Sequence, residues 1–251
     1  MLHKTKPTVL RTVRYGETSV VVTTLTELFG LQTYIVNGIR TSKKNHGKAS
    51  MYQSSALLQL EAYHHEHKNM QRIKEAEWAY MSHNIFSDVI RNSIAVFMVE
   101  LLLKNCKHPE ENIDLFHFCE DAFLHLDQCS NKTAANFPLY FALQLSQFFG
   151  FSIDMPSSAK LQSKDLYLDL QAGSFEMEQP VHTYFLEKAD ALLIAELLKV
   201  RVPDELDQIS MNQNSRRALL QKLMLFYQLH VQDFTALKTL QVLYEMNLGK
   251  D

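Results

Sequence analysis

Residues 9 to 44 read VLRTVRYGETSVVVTTLTELFGLQTYIVNGIRTSKK, and this stretch decides the architecture. The run TVLRTV, starting at Thr8, leads to a turn at RYGET. The β-branched run SVVVTTLT follows, then a turn at Phe29–Gly30, then LQTYIVNG. β-branched and aromatic residues at period two, punctuated by glycine, predict short strands joined by tight turns. A basic segment, NGIRTSKKNHGKAS over residues 37–50, separates these strands from SALLQLEAYH. There Leu58, Leu60 and Ala62 alternate with Gln59 and Glu61, the period of a half-buried strand. The next segment, NMQRIKEAEWAYM, fits either a last strand or an early helix. About five strands in some 80 residues, with no long helix between them, is the content of a small closed barrel.

From Asn84 the period becomes helical. Ile85, Phe86, Val89, Ile90, Ile94, Phe97, Met98, Leu101 and Leu102 recur at three and four, with Ser82 or Asn84 as the candidate N-cap. Leu115, Phe116, Cys119, Phe123 and Leu126 mark a second helix. A third is expected to begin near Pro138, in its first turn, and to stop at Gly150. Further helices are expected over 181–200, 215–231 and 234–246. Between them, Gly173 divides two short alternating runs and predicts a hairpin. The expected fold is therefore α+β: a barrel over residues 1–80, then a helical domain over 81–251. A small β-hairpin is inserted in that domain at about 152–180.

Composition and motifs exclude several functions. No uninterrupted apolar run reaches the length of a membrane span; the most apolar, Ser93–Leu103, contains Glu100. The N-terminal residues lack a signal peptide's apolar core, so the expected location is cytoplasmic. Cys106, Cys119 and Cys129 show no CxxC spacing and read as small buried hydrophobes. Neither a phosphate-binding glycine loop nor a nucleophile elbow is present, which argues against an enzyme. His64, His65, Glu66 and His67 could be metal ligands. A strand end and turn also explains them, because neighbouring strand residues point to opposite faces. Glu110–Glu111 and Glu120–Asp121 read as solvated helix positions.

The charge pattern is the positive signal. Lys4, Lys6, Arg11, Arg14, Arg40, Lys43, Lys44 and Lys48 face only Glu17 and Glu27 in the first fifty residues, a net of +6 in a chain whose total is −3. Tyr15, Tyr34 and Tyr52 flank the same turns as candidate stacking rings. Bases and rings on a small barrel suit a single nucleic-acid strand held without sequence preference. If about five bases meet phosphates, the log–log salt slope of binding is about −3.5.

Residues 9–44 also resemble the N-terminal segment of the RecO family of recombination mediators. They share its order of strand, YGE turn, β-branched strand, T-x-x-x-G turn, strand and G-x-R basic loop. LLQKLMLFYQLHVQDFTALKTLQVL, from Leu219, resembles that family's C-terminal pattern. The resemblance implies an OB-fold followed by an α-helical domain. It also implies a non-enzymatic DNA-binding protein of the bacterial nucleoid that acts in DNA repair. Such a protein binds single- and double-stranded DNA, anneals complementary strands, and with RecR assists recombinase loading on strands coated by single-stranded DNA-binding protein (SSB). The implied partners are DNA, RecR and the acidic C-terminal tail of SSB, with no membrane partner. The tail's site is expected around Phe137, Tyr140, Phe141 and Phe148. Many family members carry a four-cysteine zinc module after the helix ending near Gly150. Residues 151–180 contain no cysteine. No cofactor is therefore expected, and Leu166, Leu168, Leu170 and Phe175 should hold that region by apolar packing. An adaptor whose basic barrel binds an acidic protein is the competing expectation.

Overall fold

The computed structural model describes residues 1–39, 49–107 and 110–245. The chain packs as two compact units, Met1–Asp127 and Gln128–Asp251.

Six strands open the first unit: β1 (Leu2–Thr5), β2 (Pro7–Tyr15), β3 (Ser19–Thr26), β4 (Gly30–Val36), β5 (Leu57–Tyr63) and β6 (Gln71–Tyr80). The run NMQRIKEAEWAYM thus resolves as a strand. β1 and β2 are two halves of one bent strand. Lys6 interrupts the ladder, its carbonyl accepting the Glu27 N–H at 2.9 Å, and Pro7 has no N–H to continue it. β1 then pairs with β5, and β2 pairs with β3. β3 pairs with β4, β4 runs parallel to β6, β6 pairs with β5, and Thr8 opposite Leu57 joins β5 back to β2. The ring β2–β3–β4–β6–β5 is closed, with one parallel contact between β4 and β6. This is the OB-fold barrel.

Alternation explains the interior. Val20, Val22 and Thr24 of β3 point inward, whereas Val21 and Thr23 are half-exposed. Val9, Leu58, Leu60 and Ala62 complete the apolar core. Two of the rings expected to stack also belong to this core. Tyr34 lies opposite Val22 on the inner row and is 1% exposed; Tyr52 is likewise buried. The segment TYIV is apolar on both faces, so its sequence does not show which face turns inward.

The expected N-cap of the first long helix also needs correction. α1 (Asn84–Ser87) is one turn, and α2 (Val89–Asn105) starts afresh after Asp88. The Asp88 carboxylate accepts the Ile90 and Arg91 N–H groups at 2.7 and 3.0 Å, as an N-cap does. α3 (Ile113–Gln128) buries Leu115, Phe116, Cys119, Phe123 and Leu126, the stripe read from the sequence. Local structure changes from strand to helix at residues 80–84, whereas packing divides the chain after Asp127.

In the second unit α4 (Asn131–Gln147) begins seven residues before Pro138, not at it. Ser130 supplies the cap by accepting the Thr133 N–H at 3.1 Å, and the proline is tolerated inside a helix buried along most of its length. The helix ends ahead of Gly150, whose φ of +80° is the left-handed stop the sequence implied. α5 (Ser158–Gln162) precedes a three-stranded sheet of β7 (Tyr167–Asp169), β8 (Ser174–Glu176) and β9 (Phe185–Leu186), in the order β8–β7–β9. β7 and β8 are the expected hairpin about Gly173. β9 falls where a helix was expected; α6 (Lys188–Lys199) begins only after it. A 3₁₀ turn (Pro203–Gln208), α7 (Gln213–His230) and α8 (Thr239–Glu245) complete the unit. Leu166, Leu168, Leu170 and Phe175 are all buried around the small sheet.

Candidate nucleic-acid interface

β2 sets the geometry of the barrel's cationic surface. Val9 faces the core opposite Thr24, so a regular strand would also turn Arg11 inward. A bulge at Leu10 shifts the register, and Arg11 lies opposite Thr23 on the outer face. Val13 opposite Val21 and Tyr15 opposite Ser19 follow on that face. Tyr15 is 51% exposed, enough to offer a ring face to a base. The outer row continues from Val21 to Ile35 of β4 and from Ile35 to Arg72 of β6. Tyr63 of β5 lies opposite Arg72 and is also exposed. Arg11 and Arg72 therefore both project from the barrel's outer surface, on strands separated by β5 on one side and by β3 and β4 on the other. Both are exposed, and neither forms an ion pair among the described residues.

The other expected bases divide differently. Arg14 is opposite Val20, on the row that faces the core, and so projects from the opposite side of β2 to Arg11. Lys4 pairs with Glu61 at 3.3 Å, and Lys6 with Glu120 at 3.5 Å. Arg40, Lys43, Lys44 and Lys48 lie outside the described residues. The four described bases thus do not share one face. Arg72, Lys74 and Tyr63 were missed. Their signal was the segment QRIKEAEWAY, whose strand period places Arg72 and Lys74 away from Ile73 and the core.

Glu61 is the electrostatic centre of the β1–β5–β6 face. Its carboxylate accepts from Lys74 at 3.0 Å and faces Lys4. The Lys74 hydrogen bond, and then that of Lys4, holds its pKa below the ordinary carboxylate value. The same pair raises the pKa of Lys74.

The histidine cluster is a packed turn. His64 stacks on Phe29 at 3.9 Å, and His3 meets Phe29 edge-on. Burial, then the nearby His3, lowers the His64 pKa. Buried Gln71 pins the turn by accepting the His65 N–H and donating to the carbonyls of His65 and Lys68. No group of three metal-ligating side chains converges among the described residues.

In the second unit, Phe137, Tyr140 and Phe141 are buried in its core, so a tail cannot reach them there; Phe148 is half-buried. An apolar cleft lies elsewhere on the unit, between α4, α7 and α8. Pro138, Leu139, Leu220 and Leu243 line it, with Arg216 and Arg217 at its edge. The Arg217 guanidinium lies 5.8 Å from the centre of the Tyr244 ring. Its buried Nε has no hydrogen-bond partner among the described residues.

An OB-fold barrel with unpaired arginines and exposed tyrosines on its outer surface, followed by a helical unit, defines a class of DNA-handling proteins. The chain belongs to the RecO family: residues 1–81 match the family of recombination protein O N-terminal domains, and residues 87–241 match the C-terminal family. It is 34% identical over 247 residues to the DNA repair protein RecO of Christiangramia forsetii, covering 98% of this chain and 99% of that protein. It is 31% identical, with the same coverage, to RecO of Bacteroides fragilis. For RecO of Azobacteroides pseudotrichonymphae the identity is 30% over 246 residues, again covering 98% and 99% of the two chains. Membership implies a role in DNA repair and recombination. Among the described residues no helix is long and apolar enough to cross a membrane.

Proposed function

We propose that the barrel binds single- and double-stranded DNA through its phosphates, anneals complementary strands, and so acts as a recombination mediator rather than an enzyme. The observation that carries this is the barrel's outer surface, which presents exposed Arg11 and Tyr15 on β2 and exposed Arg72 on β6, with no ion pair to either arginine among the described residues. Cations neutralise phosphate, and an exposed ring accepts a base of any sequence. Neutralising two strands lowers their repulsion as they pair. Arg40, Lys43 and Lys44, outside the described residues, belong to the same proposal as further phosphate contacts.

Two partners complete the proposal. Family membership supports RecR, with which the protein would load recombinase onto SSB-coated strands. The cleft beside Arg217 supports docking of the acidic C-terminal tail of SSB, since its guanidinium borders apolar side chains, whereas that of Arg216 already donates to the Met211 carbonyl. The same proposal has the protein working without zinc, because Leu166, Leu168, Leu170 and Phe175 fill the small sheet's interior. Stoichiometric zinc in the purified protein would contradict that part.

Titrating labelled oligothymidylate at several salt concentrations tests the DNA proposal. Arg11→Ala with Arg72→Ala should weaken binding and flatten the salt slope by about 1.4, two contacts at about 0.7 each. Unchanged affinity and slope in that variant, and in Arg40, Lys43 and Lys44 all changed to Ala, would instead favour an adaptor for an acidic protein.

A further inference from the structure

We propose that Lys4 and Lys74 form a phosphate-binding subsite whose resting occupant is the carboxylate of Glu61. The inference rests on the DNA-binding proposal above and specifies how one part of the barrel takes part in it. Lys4, Glu61 and Lys74 come from three adjacent strands, β1, β5 and β6. Lys4 stands directly opposite Glu61 in the ladder. Lys74 reaches Glu61 beside the irregularity between Glu61 and Ala62. The two Nζ atoms lie 3.3 and 3.0 Å from different oxygens of one carboxylate. A phosphodiester offers the same arrangement, two anionic oxygens on one centre, to two cations.

Exposure gives the direction of exchange. The Glu61 side chain is only 22% exposed, against 76% for Lys4 and 42% for Lys74. The lysines therefore lean from solvent onto an acid fixed in the sheet and can swing to an incoming anion without disturbing the ladder. The groove they border is lined by Lys4, Arg72 and Lys74 against Glu61, Glu75 and Glu77, a net of zero among its described residues. The described lining by itself therefore neither attracts a strand from a distance nor releases many counterions on binding it. Glu61 thereby lowers the barrel's affinity for a strand. A phosphate must displace it, which keeps captured DNA exchangeable, as handing a strand to a partner requires.

Glu61→Gln preserves size and hydrogen bonding while freeing both lysines. Titrated with oligothymidylate at low salt, this variant should bind roughly three- to tenfold tighter, with a salt slope steeper by about 1.4. Glu77→Gln lines the same groove and changes net charge equally, yet it releases no lysine; its gain should be much smaller. Adding Lys4→Ala and Lys74→Ala to Glu61→Gln should cancel the gain. Thermal melting of each variant confirms a folded barrel. Equal gains for Glu61→Gln and Glu77→Gln, or a gain that survives loss of both lysines, would overturn the subsite alone. Absence of oligonucleotide uptake by every protein, the unaltered one included, would overturn the DNA-binding proposal and the subsite together.

Discussion

The Tyr80 hydroxyl donates to the carboxylate of Asp127 at 2.9 Å, tying the last residue of the barrel's sixth strand to the third helix. The same carboxylate, 2% exposed, accepts the backbone N–H groups of His83 and Ile85 at 3.2 and 2.8 Å. The Asn84 amide donates to the Asp127 carbonyl at 2.6 Å. One buried acid thus satisfies the backbone where strand gives way to helix. Tyr80→Phe removes a single donor and should cost about 1 kcal/mol. Asp127→Ala leaves two backbone donors without an acceptor and should cost on the order of 3 kcal/mol. Urea denaturation of the whole protein, followed by Trp78 fluorescence in the barrel, measures both. Equal effects of the two variants would show that the carboxylate does not organise this junction.

Two turn glycines separate backbone strain from steric clash. Gly16 and Gly30 have φ of +62° and +59°, a region that costs other L-residues roughly 1–2 kcal/mol. Around Gly16 a Cβ would meet nothing within 4 Å among the described residues, whereas at Gly30 it would lie 1.9 Å from the Glu110 carbonyl oxygen. Gly16→Ala should therefore lower stability by about 1 kcal/mol. Gly30→Ala should do clearly more, because the chain at Glu110 must move. Comparable melting temperatures for the two variants would contradict the close approach.

Several features were legible in the sequence because one face of the element is buried and the other is not. SALLQLEAYH and SVVVTTLT show this as strands, and the stripe from Leu115 to Leu126 as a helix. Other features depend on partners distant in the chain. The Leu10 bulge, which turns Arg11 outward, is defined only by pairing with β3. Tyr34 and Tyr15 are equally aromatic, and only closure of the barrel buries one and exposes the other. Asp88 is a cap inside a continuous apolar period, which hid the break between α1 and α2. Pro138 suggested a helix start because proline prefers the first turn; Ser130 provides that start a full two turns earlier. Lys4 counts as a free base in the sequence, yet the fold places it against Glu61.

Alkaline pH should weaken the barrel through its buried tyrosines. Burial pushes the Tyr52 hydroxyl from an ordinary value of 10.0 up to about 12, and raises that of Tyr34 as well. The folded state thus keeps its proton while the unfolded chain has begun to lose it. The contribution is fully present below pH 10 and is lost as pH rises toward 12. Tyr52→Phe removes the ionisable group and should lose less stability than the unaltered protein over that window, by on the order of 2 kcal/mol. Urea midpoints at stepped pH give the comparison. Parallel loss in the two proteins would mean that Tyr52 ionises freely in the fold.

The cleft of the second unit should distinguish peptides by charge. Leu139, Leu220 and Leu243 offer an apolar floor, and Arg217 brings to its edge a guanidinium whose buried Nε has no partner among the described residues. A buried donor left unmatched favours a ligand that supplies an acceptor, and a carboxylate does so with charge. An acidic peptide should bind beside the cleft through carboxylates facing Arg217, and Arg217→Ala should weaken it on the order of tenfold, about 1.4 kcal/mol. Replacing the peptide's acids by amides should have a similar effect and should abolish the sensitivity to Arg217→Ala. Calorimetric titration of the full chain with both peptides measures the coupling. If the acidic and amide peptides respond equally to loss of Arg217, its guanidinium is packing against Tyr244 and takes no part in recognising the tail.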